Sequence, residues 1–234
     1  MPFTVALVHA HLQSVDLINR EFSLHLPHVR KFNILDEAIF FDTMQNGLTA
    51  RSLKRLIEHF IWAEQMKANV IVNTTTILEP AVPICQESVS VPILRFSEPM
   101  CELALAEGNR ICVLGSMDKA IESVAAVVQE VARRRGGEAQ VTTRNVPDAQ
   151  DHLDMGDVEM HDRAMVAAAQ QLAGQCDAIV VAQIALLPLV PALKRAVDIP
   201  VFGSAETLIE RLAQMASNRP PTPLPGRGTE ATVA

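Results

Sequence analysis

Asn69-Val70-Ile71-Val72-Asn73-Thr74-Thr75-Thr76 is answered 108 residues later by Asp177-Ala178-Ile179-Val180-Val181-Ala182-Gln183-Ile184. Each stretch is a short, β-branched apolar run, which fits a strand covered on both faces in a parallel sheet. The register continues without a gap. Leu78, Pro80, Val82 and Pro83 fall on Leu186, Pro188, Val190 and Pro191, and Pro92-Ile93-Leu94 falls on Pro200-Val201-Phe202. Ala6-Leu7-Val8 matches Cys112-Val113-Leu114 at a slightly different offset. Such self-similarity marks a repeated architecture, so the chain reads as two similar α/β lobes of about four strands each.

Outward from these runs, further strands are expected at Val5 to His9, Phe32 to Leu35, Arg110 to Leu114 and Gln140 to Thr143. Amphipathic helical stretches at Leu48 to Met66, Asp118 to Arg134, His161 to Ala173 and Ala205 to Met215 separate them, the alternation of parallel βαβ units. The expected organisation is a first lobe of residues 1–97 completed by 205–217, a second lobe of 98–204, and a Pro/Gly-rich tail at 218–234. Asp148 to Asp162, with His152 and His161 among acidic residues, reads as a solvated loop feeding a first helical turn rather than a metal site.

Composition removes several function classes. Lys and Arg number 20 against 27 Asp and Glu, a formal charge of −7, so the basic face of a general nucleic-acid binder is not expected. Aromatics are 4% with no Tyr, too few for a base-stacking surface. The first residues lack a basic signal-peptide region, and the longest apolar stretch, Ala178 to Leu193, is interrupted by Gln183, Pro188 and Pro191. No membrane partner is expected. Cys85, Cys101, Cys112 and Cys176 form no CxxC pair and read as buried free thiols of a cytoplasmic protein. No GxGxxG, P-loop, GxSxG or HExxH pattern is present.

Open parallel sheets bind ligands beyond the carboxyl ends of their strands. That rule selects His9-Ala10-His11, Asn73-Thr74-Thr75-Thr76, Gly115-Ser116 and Ala182-Gln183-Ile184, with Thr75 and Gln183 in equivalent positions. Across a two-lobe cleft these rims can meet.

Val70 to Thr76, then Val91-Pro92-Ile93-Leu94-Arg95 and Glu98-Pro99-Met100, together with Asp177 to Gln183 and Ile199-Pro200-Val201, resemble the aspartate/glutamate/hydantoin racemase superfamily. Val5 to His9 and Asn33 to Asp36 are similar too, so the likeness runs from about Val5 to Met215. It implies two lobes related by a pseudo-twofold axis, a small carboxylate ligand between them, and no cofactor. It also implies a racemase chemistry in which one cysteine from each lobe removes or returns the α-proton. A homo-oligomer is compatible with the likeness.

The cysteine slots fall at Thr75 and Gln183, neither of which forms a thiolate, so the two-thiol mechanism does not transfer. The expectation is an isomerase- or lyase-type enzyme with altered chemistry, or else a non-catalytic carboxylate-binding or sensory protein. Asn73, Thr74, Thr75 and Thr76 would hold the carboxylate at a helix start, with Gly115 and Ser116 opposite; the threonines can equally be helix caps. Gln183 either donates to a substrate oxygen or packs as a bonded amide. His9 is the selected proton carrier, or a histidine bonded beneath the surface. Arg95 either meets the carboxylate or braces the lobes.

Overall fold

In the computed structural model, which describes residues 2–218, the chain runs twice through the same series of elements. The first pass is β1 (Thr4–His9), α1 (Leu12–His25), β2 (Arg30–Leu35), α2 (Glu37–Asn46), α3 (Ala50–Gln65), β3 (Val70–Asn73), a 3-10 turn (Thr76–Ala81), α4 (Val82–Gln86), β4 (Ile93–Arg95) and α5 (Glu98–Glu107). The second is β5 (Arg110–Gly115), α6 (Asp118–Arg134), β6 (Gln140–Asn145), α7 (Pro147–Asp154), α8 (Val158–Leu172), β7 (Ala178–Val181), a 3-10 turn (Ile184–Leu189), α9 (Val190–Ala196), β8 (Val201–Phe202) and α10 (Ser204–Ser217).

The strands form two parallel four-stranded sheets, ordered β2-β1-β3-β4 and β6-β5-β7-β8, in two similar lobes related by a pseudo-twofold axis. The 108-residue offset holds element by element: Val70 and Ala178 open β3 and β7, Thr76 and Ile184 open the 3-10 turns, and Ile93 and Val201 open β4 and β8.

Apolar alternation along the inner strands builds three cores. Ala6, Val8 and Ile71 of the first sheet share a central core with Ile111, Val113, Ala178 and Val180 of the second. It is sealed by α3 and by the apolar stripe Ile121, Val124, Val128 and Val131 of α6, at helical spacing. The opposite faces lie in outer cores. Val5, Leu7, Val70 and Val72 pack with Ile18 and Phe22 of α1 and Leu208 and Leu212 of α10. Cys112, Leu114, Ile179 and Val181 pack with Met165 and Leu172 of α8. The shared central core holds the rims of both sheets in one fixed relation.

Asp148 to Asp162 differs from the expected loop. It is nearly all of α7 and the first turn of α8, joined through Gly156, whose φ of +78° suits a residue without a Cβ. Two buried side chains, Ala149 and His161, anchor the pair while Asp148, Asp151 and Asp157 are exposed. Among the described residues no helix is long and apolar enough to cross a membrane. The Pro/Gly-rich tail lies, from residue 219 on, outside the described residues.

Candidate functional site

In each sheet the chain turns one way after the first strand and the other way after the third, so a crevice opens where β1 and β3, or β5 and β7, end side by side. The two crevices merge into one cleft of about 690 Å³. The first lobe contributes His11, Gln13 and Ser14 beyond β1, Phe40, Phe41 and Met44 on α2, and Thr74 to Ile77 beyond β3. The second contributes Met117 and Ala120, then Gln150, Leu153 and Asp154 on α7, and Gln183 to Ala185 beyond β7. Thr75 and Gln183 therefore line a single cavity from different lobes.

Both slot side chains face their own scaffold in the same way. Thr75 Oγ1 accepts the Ala10 N–H at 3.1 Å, and Gln183 Oε1 accepts the Ser116 N–H at 2.6 Å and the Met117 N–H at 3.2 Å. Ala10 and Ser116 are equivalent residues, the second past the partner strand's Val8 and Leu114. Thr75 makes no side-chain cap to the helical turn after it, which removes the capping alternative. The Gln183 Nε2 donates to Ser116 Oγ, which reaches Gln150 Oε1 at 3.0 Å, and Gln150 Nε2 donates to Asp154 Oδ1 at 2.8 Å. Gln183 is a bonded amide that anchors the second wall.

Of the residues selected from sequence, Thr74, Thr75, Thr76 and Gln183 line the cleft, whereas His9, Asn73, Arg95, Gly115 and Ser116 take no place in its lining. His9 lies beneath the first wall, 1% exposed. Its Nδ1 meets Ser14 Oγ at 2.7 Å and Thr74 Oγ1 at 3.0 Å, and its Nε2 meets Asn33 Oδ1 at 3.0 Å. Burial lowers its pKa to about 4 against the opposing pull of Asn33, so the ring is neutral at pH 7. Asn73 is buried, and its Nδ2 donates to the Thr75 carbonyl, which shapes the turn. Arg95 braces the lobes: its guanidinium bonds Glu98 at 3.0 Å and grips both oxygens of Glu130 on α6 at 2.5 and 3.0 Å. Gly115 and Ser116 are covered by Gln183, and a Cβ at Gly115 would stand 2.9 Å from Gln183 Oε1.

The lining also holds His11, which the strand-end rule selected but which gave way to His9 as the proton carrier, and Asp154, which was given no role at the site. His11 caps α1, its Nδ1 accepting the Gln13 N–H at 3.2 Å, and it is half-buried in the lining. The available signal was position: His9 is the last residue of β1 and still inside the sheet's packing, and His11 stands two residues further out. Asp154 lay in the segment read as a loop. Together they are the ionisable side chains among the lining residues, one from each lobe.

No thiol lines the cleft. All four cysteines are free and buried, and burial pushes Cys85 up to about 11 and raises Cys101, Cys112 and Cys176 as well. Burial of this kind disfavours the thiolate that a nucleophile or base requires.

One buried carboxylate also lies nearby. Glu79, in the 3-10 turn after Thr75, accepts the Ser97 N–H at 2.7 Å and a bond from the Ser97 hydroxyl. Burial raises its pKa to about 7 in spite of these bonds. It clamps the turn that carries Thr75 and Thr76 to the start of α5.

No protein-family model matches the sequence, and none of the curated proteins compared with it does. Solved structures match over nearly the whole chain. A Yersinia pestis structure assigned as an Asp/Glu racemase superposes with a TM-score of 0.72 at 16% identity, covering 92% of this chain and 99% of that one. An aspartate racemase homologue from Pyrococcus horikoshii gives 0.67 at 18% identity, covering 92% and 99%. Unliganded arylmalonate decarboxylase gives 0.59 at 14% identity, covering 93% and 94%. The chain has the two-lobed fold common to these racemase and decarboxylase structures.

Proposed function

We propose that this chain is a divergent, cofactor-independent member of the Asp/Glu racemase superfamily, an isomerase- or lyase-type enzyme that binds a small carboxylate in the inter-lobe cleft. The observation that carries the reading is the composition of the cleft lining: no thiol, two amide-accepting slots, and His11 and Asp154 as its ionisable groups. A carboxylate seats best on the first lobe. The 3-10 turn from Thr76 begins there with leading N–H groups that have no partner within the turn, beside the hydroxyls of Thr75 and Thr76. In the second lobe the corresponding 3-10 turn opens on Ile184 and Ala185, which carry no hydroxyl. His11 then moves the proton, its Nε2 being the ring nitrogen left over after Nδ1 caps α1. Four unpaired, buried cysteines suit a reducing cytoplasm.

The test pairs His11→Asn with wild type, since Asn keeps a side-chain acceptor for the helix cap. Carboxylates that raise the melting temperature are screened for α-proton exchange in heavy water and for decarboxylation. The expected result is turnover of at least one of them that survives alkylation of the cysteines and falls about 100-fold or more in His11→Asn, with the melting shift kept. Stabilisation by a carboxylate with no turnover of it overturns the enzyme reading in favour of a binding or sensory protein.

A further inference from the structure

We propose that the ligand of the cleft is a monocarboxylate bearing an aryl-sized apolar arm, and that the arm lies against Phe40, Phe41 and Met44. This rests on the carboxylate reading above and adds what the rest of the ligand must be.

The first observation is charge. Among the described residues neither lysine nor arginine lines the cleft, and Asp154 adds a negative group. Lys119, Arg55 and Arg95 are each committed elsewhere. Lys119 Nζ donates to the Thr43 carbonyl at 3.1 Å and to the Met44 carbonyl, capping the end of α2. Arg55 is held by Asp36, and Arg95 by Glu98 and Glu130. One carboxylate can be met by N–H and hydroxyl groups of the first-lobe turn. A second one would enter a partly desolvated cavity with no cation to pair with and with Asp154 to repel it, which is costly.

The second observation is the apolar wall. The chain holds only eight Phe and no Tyr, yet two of the Phe stand side by side here. His11 and Phe40 meet edge to face, with centroids 5.5 Å apart at 70°, and Phe40 and Phe41 repeat that geometry at 5.7 Å and 82°. The row ends at Phe41, which is 60% exposed. A further ring set against it would extend the same edge-to-face series and cover that surface. Met44 and Ile77 add apolar lining from the same lobe, and Met117, Leu153 and Ile184 line the cleft from the other. A volume of about 690 Å³ is larger than a four- or five-carbon dicarboxylate needs and accommodates an aryl group with its carboxylate.

Calorimetric titration of 3-phenylpropanoate, glutarate and 3-phenylpropanamide tests the proposal on wild type, Phe41→Ala and Phe41→Lys. Phe41 is exposed, so neither variant disturbs a core. The expected result is that 3-phenylpropanoate binds about tenfold or more tighter than glutarate, and that Phe41→Ala removes most of that preference. Phe41→Lys should strengthen glutarate. Glutarate binding wild type as tightly as 3-phenylpropanoate overturns the monocarboxylate, apolar-arm assignment and leaves the carboxylate reading standing. The amide binding as tightly as the acid overturns the carboxylate reading beneath it. A preference for 3-phenylpropanoate unchanged in Phe41→Ala overturns the placement of the arm, and no binding of any probe overturns both.

Discussion

In the first lobe the slot beyond β3 holds Thr75, whose short side chain accepts the Ala10 N–H, and beneath it His9 is bonded to Ser14 and Thr74. In the second lobe the slot beyond β7 holds Gln183, whose longer side chain accepts the Ser116 N–H, and the positions equivalent to His9, Ser14 and Thr74 are Gly115, Ala120 and Ala182. The exchange is steric. A Cβ at Gly115 would meet Ile121 at 2.8 Å, Gln183 Oε1 at 2.9 Å and the Ala182 Cβ at 3.2 Å, so the long amide fits only over glycine. One backbone plan thus satisfies the same loop amide in two ways. The first lobe keeps a buried polar cluster under its wall and carries hydroxyls at Thr75 and Thr76 where the turn begins, and the second spends its polar atoms on a chain of amides within the wall. The one-sided carboxylate site proposed above rests on that difference.

The lobes differ again at their last strands, and the largest effect is expected there. Arg95 ends β4, whereas its equivalent, Gly203, follows β8 and is crowded by Val190 and Leu187. Arg95 is 4% exposed and tied to Glu98 and to Glu130 of the other lobe. Arg95→Ala leaves two carboxylates without their cation, a change that costs about 3–5 kcal/mol for a buried pair. The lower end is expected, because Glu130 is 40% exposed and Glu98 also meets Arg134. Chemical denaturation reads this directly, and a loss below about 1 kcal/mol would show that Arg95 does not hold the lobes together.

His9 and Glu79 are buried under the first lobe's wall, and their equivalents in the second lobe are Gly115 and Leu187. His9 has a folded pKa of about 4 against the ordinary 6.5, so between those values the unfolded chain binds the extra proton. Its contribution is complete above pH 6.5 and is lost on acidification toward pH 4, roughly 3 kcal/mol in all. Glu79 acts in the opposite sense. Its folded pKa of about 7 lies above the ordinary 4.5, so its contribution is complete below pH 4.5 and is lost as the pH rises to 7. Between pH 4.5 and 6.5 the two slopes offset, and wild-type stability should be nearly flat. Glu79→Gln should lose stability on acidification through that window, and His9→Gln should gain it. Denaturation midpoints at several pH values check both slopes, and two variants as flat as wild type would break the assignment.

The repeat was legible because it is carried by residues close in sequence. Apolar runs and in-register prolines mark β3, β4, β7 and β8 and the 3-10 turns between them, and each begins at its expected offset. The slots Thr75 and Gln183 were legible for the same reason. His9 against His11 was not, since burial of a ring at a strand end depends on Ser14, Asn33 and Thr74, contributed by three separate segments. Arg95 offered no local sign of Glu130, which lies 35 residues away on the other lobe. Asp154 was hidden because acidic surface residues obscure the helix that Ala149 anchors.

The smallest expected effect bears directly on the slots. Thr75→Val keeps the side-chain shape and removes the oxygen that accepts the Ala10 N–H, and Ala10 is 1% exposed. One buried donor is left unpaired, at a cost of about 1 kcal/mol. Gln183→Leu strips the acceptor from two N–H groups, and Ser116, which carries one of them, is 5% exposed. The longer Met117 bond counts for less, so the loss should be about 2 kcal/mol. The difference between the variants, about 1 kcal/mol, measures how much more the second lobe leans on its slot residue. Both are read from denaturation curves at equal slope, so that a changed unfolded state is not mistaken for a lost bond. Should Thr75→Val cost as much as Gln183→Leu, the first wall depends on its slot as heavily as the second. Its loop would then be no freer to receive a ligand, and the one-sided site would lose its basis.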